Sequence, residues 1–363
     1  MSARRKKMLV ICPHPENRVP GQRLKYEQYF EHWREHGYDL TVMPFYSNRM
    51  QDILYQKGHV LEKIYWVLCG YLQRLGLIFR LKQYDLIYIF LWVTPIGPPI
   101  MERIYTLLNR NVVYDIDDAI FLKADSIFNR WVQLLKGRRK PFFMMKAARE
   151  VIACTPYLTE VVRQLNPRVT DISSTINTQT YQPVNQYRND HRLVLGWSGS
   201  HSTARFLHLL HPVLLELKKT HDFSLLVMGE ADFNMEGIDT EAIAWSEADE
   251  IRTLQLMDIG LYPLPADDEW VLGKSGLKAL QYMAVGIPVV ATAVGANFRI
   301  MESGKTGWLV QHPEEWLQQL RYLMDHPEIR RSTGLAGRAH VEAHYSIRAT
   351  APVYLAILNR VSR

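Results

Sequence analysis

This chain of 363 residues is poor in cysteine: Cys12, Cys69 and Cys154 are its only three. They form no CxxC pair and no metal-ligand spacing. That excludes a disulfide framework or a zinc ribbon and fits a reducing cytoplasm. Each reads as a small buried hydrophobe. Long apolar runs are also missing, since no uncharged stretch reaches the ~20 residues a bilayer-spanning helix needs. The nearest, 86–101, is interrupted by Pro95, Pro98 and Pro99, which break a helix. The opening MSARRKKMLVICPHP starts basic, but its apolar run stops at Pro13. It reads as a first strand and not as a signal peptide. There is no short-period repeat and no low-complexity tract. Charge is only mildly one-sided, with 43 Lys and Arg against 37 Asp and Glu, net +6. That balance favours anionic partners such as nucleotides, phosphates or acidic lipid. No nucleic-acid recognition module accompanies it, so nucleic acid is not an expected partner.

What is present is a soluble, globular composition of 47% apolar and 22% charged residues. The length exceeds one ordinary core and implies two domains. Short apolar runs alternate with helical-period stretches. MLVIC, YDLTVMPF, DLIYIFLW, NVVYDID and EVIACT read as strands, and the rhythm restarts with RLVLGWSG, FSLLVMG, DIGLYPL, IPVVAT and GWLV. Continuously apolar strands separated by helices imply buried parallel sheets. QRLKYEQYFEHWREHG reads as one helix stopping at Gly37. The polar, aperiodic NTQTYQPVNQYRND reads as a linker. The expected fold class is α/β, with doubly wound Rossmann-like sheets in 1–178 and 179–345 and a terminal helix over about 346–363. Ligands of such sheets bind at the C-terminal ends of the strands, in loops that open helices.

The stretch DDEWVLGKSGLKALQYMAVGIPVVAT then carries a resemblance. Gly276, Leu277, Leu280, Met283, Ala284, Gly286, Pro288, Val289, Val290 and Ala291 match the pattern E-G-F-G-L-x-x-L-E-A-M-A-x-G-x-P-V-V-A. This resembles glycosyltransferase family 4, retaining enzymes of the GT-B fold that use nucleotide-sugar donors. PGQRLKYEQY, VVYDIDDAIFL, LGWSGSHSTARFL and DIGLYPLPADDEW agree with a bacterial surface-glycan branch of it. The resemblance implies two domains facing across a cleft, with the last helix packing back onto the first. Two glutamates of the family pattern are replaced, by Gly273 and Gln281. The family's first glutamate lies near the donor sugar and the second bonds the ribose. Gln281 can still accept a ribose hydroxyl; Gly273 supplies no side chain.

The loop chemistry points the same way. Gly273, Ser275 and Gly276 lead into a helix whose unpaired N–H groups and dipole suit a diphosphate, and Lys274 adds a point charge. Alternatively the glycines only make a turn and Lys274 is solvated. In GWSGSHSTARF, Gly199 lets backbone approach a ligand, while Ser200 and Thr203 can hold a phosphate oxygen or cap the helix. Trp197 stands near the family's usual arginine, and Arg205 is the nearest substitute. Asp115 and Asp117 end a strand where the family presents a histidine; either could orient a hydroxyl or act as a base. Asp118 reads as a turn cap. The D-x-D spacing of Asp115 and Asp117 superficially suits a hard cation, but the tandem βα architecture argues against a metal site. The resemblance places Gly21 beside the donor phosphate or the acceptor; Arg18, Arg23 and Lys25 could bind an anionic acceptor, with Arg18 and Lys25 equally an exposed basic helix start. Basic residues among aromatics in NRWVQLLKGRRKPFFMMK, and an apolar stripe in GHVLEKIYWVLCGYLQRLGLIFRLK, suit an anionic membrane surface; the stripe suits a core helix equally.

The reading is therefore a retaining, metal-independent glycosyltransferase of the cytoplasm, with attachment at the inner face of the membrane. It moves a sugar from a nucleotide sugar to a glycan or lipid-linked acceptor, with no cofactor. Lys274, Asp115 and Asp117 are the expected catalytic residues. Gly199, Ser200, Thr203, Arg205, Gly273, Ser275, Gly276 and Gln281 are the expected donor contacts. The alternative is a non-catalytic GT-B subunit that binds a nucleotide sugar or a partner enzyme.

Overall fold

The computed structural model describes residues 4–122, 139–183 and 192–362. It divides into two compact units, Met1–Ser174 with Thr350–Arg363, and Thr175–Ala349. Each is built on a six-stranded parallel sheet.

Unit one contains β1 (Lys6–Cys12), β2 (Tyr38–Pro44), β3 (Leu86–Phe90), β4 (Val112–Ile116), β5 (Glu150–Ala153) and β6 (Val169–Asp171), in the order β2-β1-β3-β4-β5-β6. Unit two contains β7 (Leu193–Ser198), β8 (Phe223–Met228), β9 (Thr240–Ile243), β10 (Ile259–Tyr262), β11 (Val289–Thr292) and β12 (Trp308–Val310), in the order β12-β11-β10-β7-β8-β9. Every residue of β3, β4, β5, β10 and β11 is buried. That is why these strands are legible as unbroken apolar runs. β6 and β9 are edge strands, short and partly polar, and carry no such run. In unit two the order reverses between β7 and β10, and the crevice at such a switch point is where doubly wound sheets take ligands.

The expected single helix before Gly37 is broken into Pro20–Lys25, a 3-10 turn Glu27–Tyr29 and Phe30–Glu35. The cause is Tyr26, whose backbone leaves the helical region at φ −135°. Its ring is buried against Phe30, Tyr88 and Phe90. The adjacent Lys25 is wholly buried instead of lying on an exposed helix start.

The helix Ile347–Val361 docks its second part on unit one. Tyr354 donates to the Lys25 carbonyl (3.2 Å), and Arg360 binds both oxygens of Glu150 (3.1 and 2.6 Å). The segment read as a linker is not loose in its described part: Tyr181 is buried in unit two. Residues 184–191 lie outside the described residues.

Of the basic-aromatic segment, Trp131, Lys136 and Arg138 lie outside the described residues. Lys140 is not available to a membrane surface. It is buried, 3.2 Å from Glu102, and donates to the carbonyls of Thr94 (2.8 Å) and Ile96 (3.0 Å). Phe143 lies beneath the Arg103 guanidinium. Among the described residues, no helix is long and apolar enough to cross a membrane.

Candidate functional site

The switch point of unit two is flanked by the loops after β7 and β10. Both strands are held by one tyrosine on the helix Leu277–Ala284. The Tyr282 hydroxyl accepts from the Ser198 amide at the end of β7 (2.7 Å). Its ring packs so closely on β10 that a Cβ at Gly260 would lie 2.5 Å from it. The helix therefore has a set position over both strand ends.

Gly276 is the N-cap of that helix, at φ +75°. This left-handed conformation favours glycine. A Cβ at this position would also stand 2.1 Å from Ile300 Cδ1. Gly276→Ala is accordingly expected to cost ~2–4 kcal/mol, the sum of left-handed strain and overpacking. Urea unfolding of the variant measures it; a cost below ~1 kcal/mol would mean that the loop relaxes freely.

The expected donor residues converge only in part. Thr203 is nearly buried; its hydroxyl oxygen accepts from the Ser200 amide (3.2 Å) and from Lys278 Nζ (3.3 Å). Ser200 Oγ pairs with Ser202 Oγ (3.0 Å). Gly199 does not open onto empty space on its Cβ side. A Cβ there would lie 2.2 Å from the Trp197 ring and 2.9 Å from Lys278 Cε. Arg205 is exposed, with its guanidinium over Phe206. Gly273 is buried and Ser275 half-buried in the turn before Gly276. Lys274 is half-buried. Its ammonium sits on the Trp270 face, 3.5 Å from the ring centroid. Upstream, Asp268 caps the turn Glu269–Gly273 by accepting from the Trp270 amide.

Gln281 corrects the ribose expectation. It is buried, and its amide nitrogen donates to Glu250 Oε1 (3.0 Å) and Tyr181 Oη (3.1 Å). Glu250 also accepts from Tyr181 (2.6 Å) and from the Trp245 indole (2.9 Å). The carboxylate absent from position 281 thus stands beside it, contributed by the helix Glu250–Leu254.

Lys278 is the residue that sequence reasoning missed. Its ammonium lies over the rings of Trp197 (5.1 Å) and Tyr262 (5.6 Å) and against Thr203. Burial, and secondarily the nearby Lys274 charge, hold its pKa down to about 7. A signal for it existed. Lys278 is the second residue of its helix, where a cation opposes the helix dipole. A cation, a second cation nearby and unpaired helical N–H groups make little sense together unless an anion joins them.

In unit one the end of β4 separates the two aspartates. Asp115 corrects the catalytic expectation, because it is wholly buried. One oxygen accepts from the Tyr88 hydroxyl, and the other lies 3.6 Å from the Lys25 ammonium. A carboxylate so enclosed holds the core and cannot meet a substrate. Asp117 is half-buried, and its Oδ2 would stand 3.7 Å from a Cβ on Gly21. The expected acceptor loop and the second aspartate are therefore neighbours. Cys154 holds the Asp117 carbonyl (2.9 Å), and Asp118 accepts from the Ala119 amide as a turn cap. Arg23 is half-buried on the same turn. Arg18 is taken up by Asp52. His14 is held by Gln51 (2.7 Å), and burial lowers its pKa.

Comparison with known proteins agrees with the architecture. Residues 192–326 match the family described as glycosyl transferases group 1. A D-inositol 3-phosphate glycosyltransferase of Paenarthrobacter aurescens (strain TC1) is 41% identical over 70 residues, which is 19% of this chain and 17% of that protein. The similarity therefore spans under a fifth of the relative's length. A glycosyltransferase from Rickettsia africae ESF-5 has a similar structure, with a TM-score of 0.72 at 12% identity over 98% of both chains. Anabaena Alr3699/HepE, solved in complex with UDP and glucose, gives 0.67 at 14% identity over 98% of this chain and 100% of that one. At these identities the structures establish a shared fold of the GT-B type.

Proposed function

We propose, from the match of residues 192–326 to the group 1 glycosyl transferases, that this chain moves a glycosyl group from a nucleoside-diphosphate sugar to a glycan or lipid-linked acceptor. The observation that carries the proposal is the cation pair at the switch point. Lys278 and Lys274 stand at the start of the helix Leu277–Ala284, beside the turn after β7.

In the reaction, the bond between the anomeric carbon and the diphosphate oxygen breaks as an acceptor hydroxyl bonds to that carbon. The hydroxyl proton passes to the departing phosphate, and negative charge accumulates on the diphosphate. Preorganised donors at that point lower the barrier. Lys278, Lys274 and the first N–H groups of the helix are those donors. Their positive charge stands where a metal ion would otherwise serve, which supports a metal-independent reaction. Gly273, Ser275, Gly276, Gly199, Ser200 and Thr203 shape the diphosphate turn, with Thr203 holding Lys278. Arg205 plays at most a peripheral part. In unit one, Gly21, Arg23 and Asp117 are the acceptor-side groups, with Asp117 orienting a hydroxyl. HepE holds UDP on the same fold, which makes uridine diphosphate the first donor to try.

A thermal-shift series with UDP, GDP and their sugars tests this. A ligand at a hundredfold its Kd stabilises the native state by ~2.7 kcal/mol and raises Tm accordingly. Absence of any shift across the series would remove the reading. A shift without turnover on glycan or lipid-linked acceptors would favour the non-catalytic subunit, which the glycine at position 273 motivates.

A further inference from the structure

The helix Val60–Leu77 is amphipathic on the wrong side. Its inward face is made by Gly70, Arg74 and Leu77. Arg74 bonds the carbonyls of Val93 (2.9 Å) and Cys12 (3.2 Å), and Gly70 packs on Phe45. The opposite face is apolar and open to solvent. Leu61 is 83% exposed, Leu72 66% and Phe79, one turn beyond, 90%. Ile64, Tyr65, Leu68 and Leu75 are exposed between them. At about 100° per residue these seven side chains fall within one arc of roughly 100°. Single exposed leucines are ordinary, but a contiguous stripe of this length marks a binding surface.

We infer that this stripe is a docking surface for an anionic lipid bilayer. The charges around it select that occupant. Its ends are basic: Lys57 and His59 precede the helix, and Arg80 and Lys82 follow it, all exposed. The helix has one acidic residue, Glu62, and that carboxylate is bound by Arg49 (2.6 Å) and His59 (3.1 Å). A second copy of this chain fits poorly. Antiparallel packing would set Lys57 against Arg80 and Lys82, and parallel packing would set each cation against itself. A bilayer meets both needs at once, taking apolar side chains between its headgroups while lipid phosphates neutralise the cations at either end. Tyr65, packed against Trp66, is the kind of amphipathic ring that settles at headgroup depth. This goes beyond glycosyl transfer and does not depend on it, since the helix lies in unit one and the diphosphate loops in unit two.

Sedimentation of the full chain with vesicles of phosphatidylcholine, with and without phosphatidylglycerol, tests the inference. Binding is expected to the anionic vesicles and to weaken with added salt. The double variant Leu68→Ser, Leu72→Ser should bind about tenfold more weakly or worse, with its Tm undiminished because both positions are exposed. Arg80→Glu with Lys82→Glu should weaken binding to the anionic vesicles only. No binding, or equal binding to both vesicle types, overturns the inference. A wild-type dimer in light scattering that becomes monomeric in the leucine variant also overturns it and assigns the face to a second copy. UDP-induced Tm shifts on the same variants should match wild type, so that loss of lipid binding is separable from loss of donor binding.

Discussion

Lys278→Met is expected to abolish nucleoside-diphosphate binding and, at the same time, to stabilise the unliganded protein. The first effect follows from position. The Lys278 ammonium is enclosed by Trp197, Tyr262 and Thr203, where water screens it little and each unit of charge counts for more than at the surface. Loss of such a group is expected to lower kcat/KM by ~10²–10³-fold. Lys274→Ala should do less, since its ammonium rests on Trp270 in a half-exposed position.

The second effect follows from the same burial. The folded-state pKa is held down to about 7, whereas an unfolded lysine titrates near ~10.4. Between those values the unfolded chain carries the proton and the folded chain does not. Stability therefore rises with pH across that window, and below about 7 the charge is fully present in the fold at full cost. Methionine removes the cost, so the variant's Tm should exceed wild type at neutral pH by ~3 °C or more, and its stability should change less between pH 7 and 10. Binding has the opposite dependence. Diphosphate needs the protonated lysine, so affinity should fall as pH rises through about 7, with proton uptake on binding. Calorimetric titration with UDP in two buffers of different ionisation heat reads that proton. A methionine variant that binds UDP like wild type would refute the assignment.

Lys25→Met is expected to destabilise unit one by ~3–5 kcal/mol, the usual result of removing one partner of a buried ion pair. Both Lys25 and Asp115 are inaccessible to solvent. Removal of the lysine would leave the Asp115 carboxylate with the Tyr88 hydroxyl and little else to oppose its burial. It would also sever the link from Lys25 to the Ile172 carbonyl. Burial raises the Asp115 pKa, and Lys25 pulls against that rise. A carboxyl whose folded pKa is raised takes its proton in the folded state first, so its contribution to stability grows as pH falls through that pKa. Without Lys25 the rise is larger. The gap between wild type and variant should therefore narrow as pH is lowered. The double variant Lys25→Met, Asp115→Asn should be more stable than Lys25→Met alone, since no unpaired charge remains. Urea unfolding at two pH values decides it. A single-variant cost under ~1 kcal/mol would show that the pair is dispensable.

The architecture was readable because it rests on local chemistry. Ten apolar runs announced ten strands, and their unbroken character announced parallel pairing between helices. β6 and β9 escaped because an edge strand needs only one apolar face and here has barely that. The donor turn was readable through Gly276, whose left-handed backbone few other residues tolerate. Lys278 was readable in principle as a cation opposed to its helix dipole.

Side-chain destinations were a different matter. Asp115 and Asp117 are two residues apart, and a continuing strand would set both on one face; β4 ends at Ile116, so Asp117 lies in the loop beyond it. Which of them faces the core depends on Lys25 and Tyr88, which come from a distant helix and strand. Likewise Gln281 looked available until Glu250 and Tyr181 converged on it from other parts of unit two. The stripe from Leu61 to Phe79 had the same period whether it met a core or solvent, and only packing at Gly70 and Arg74 turned it outward. By itself, the sequence determined where chain elements begin, end and bury their apolar faces, because propensity and periodicity act over a few neighbouring residues. Tertiary structure alone decided which charges are paired, hidden or open, because the energy of a charge depends on groups that folding brings from far along the chain.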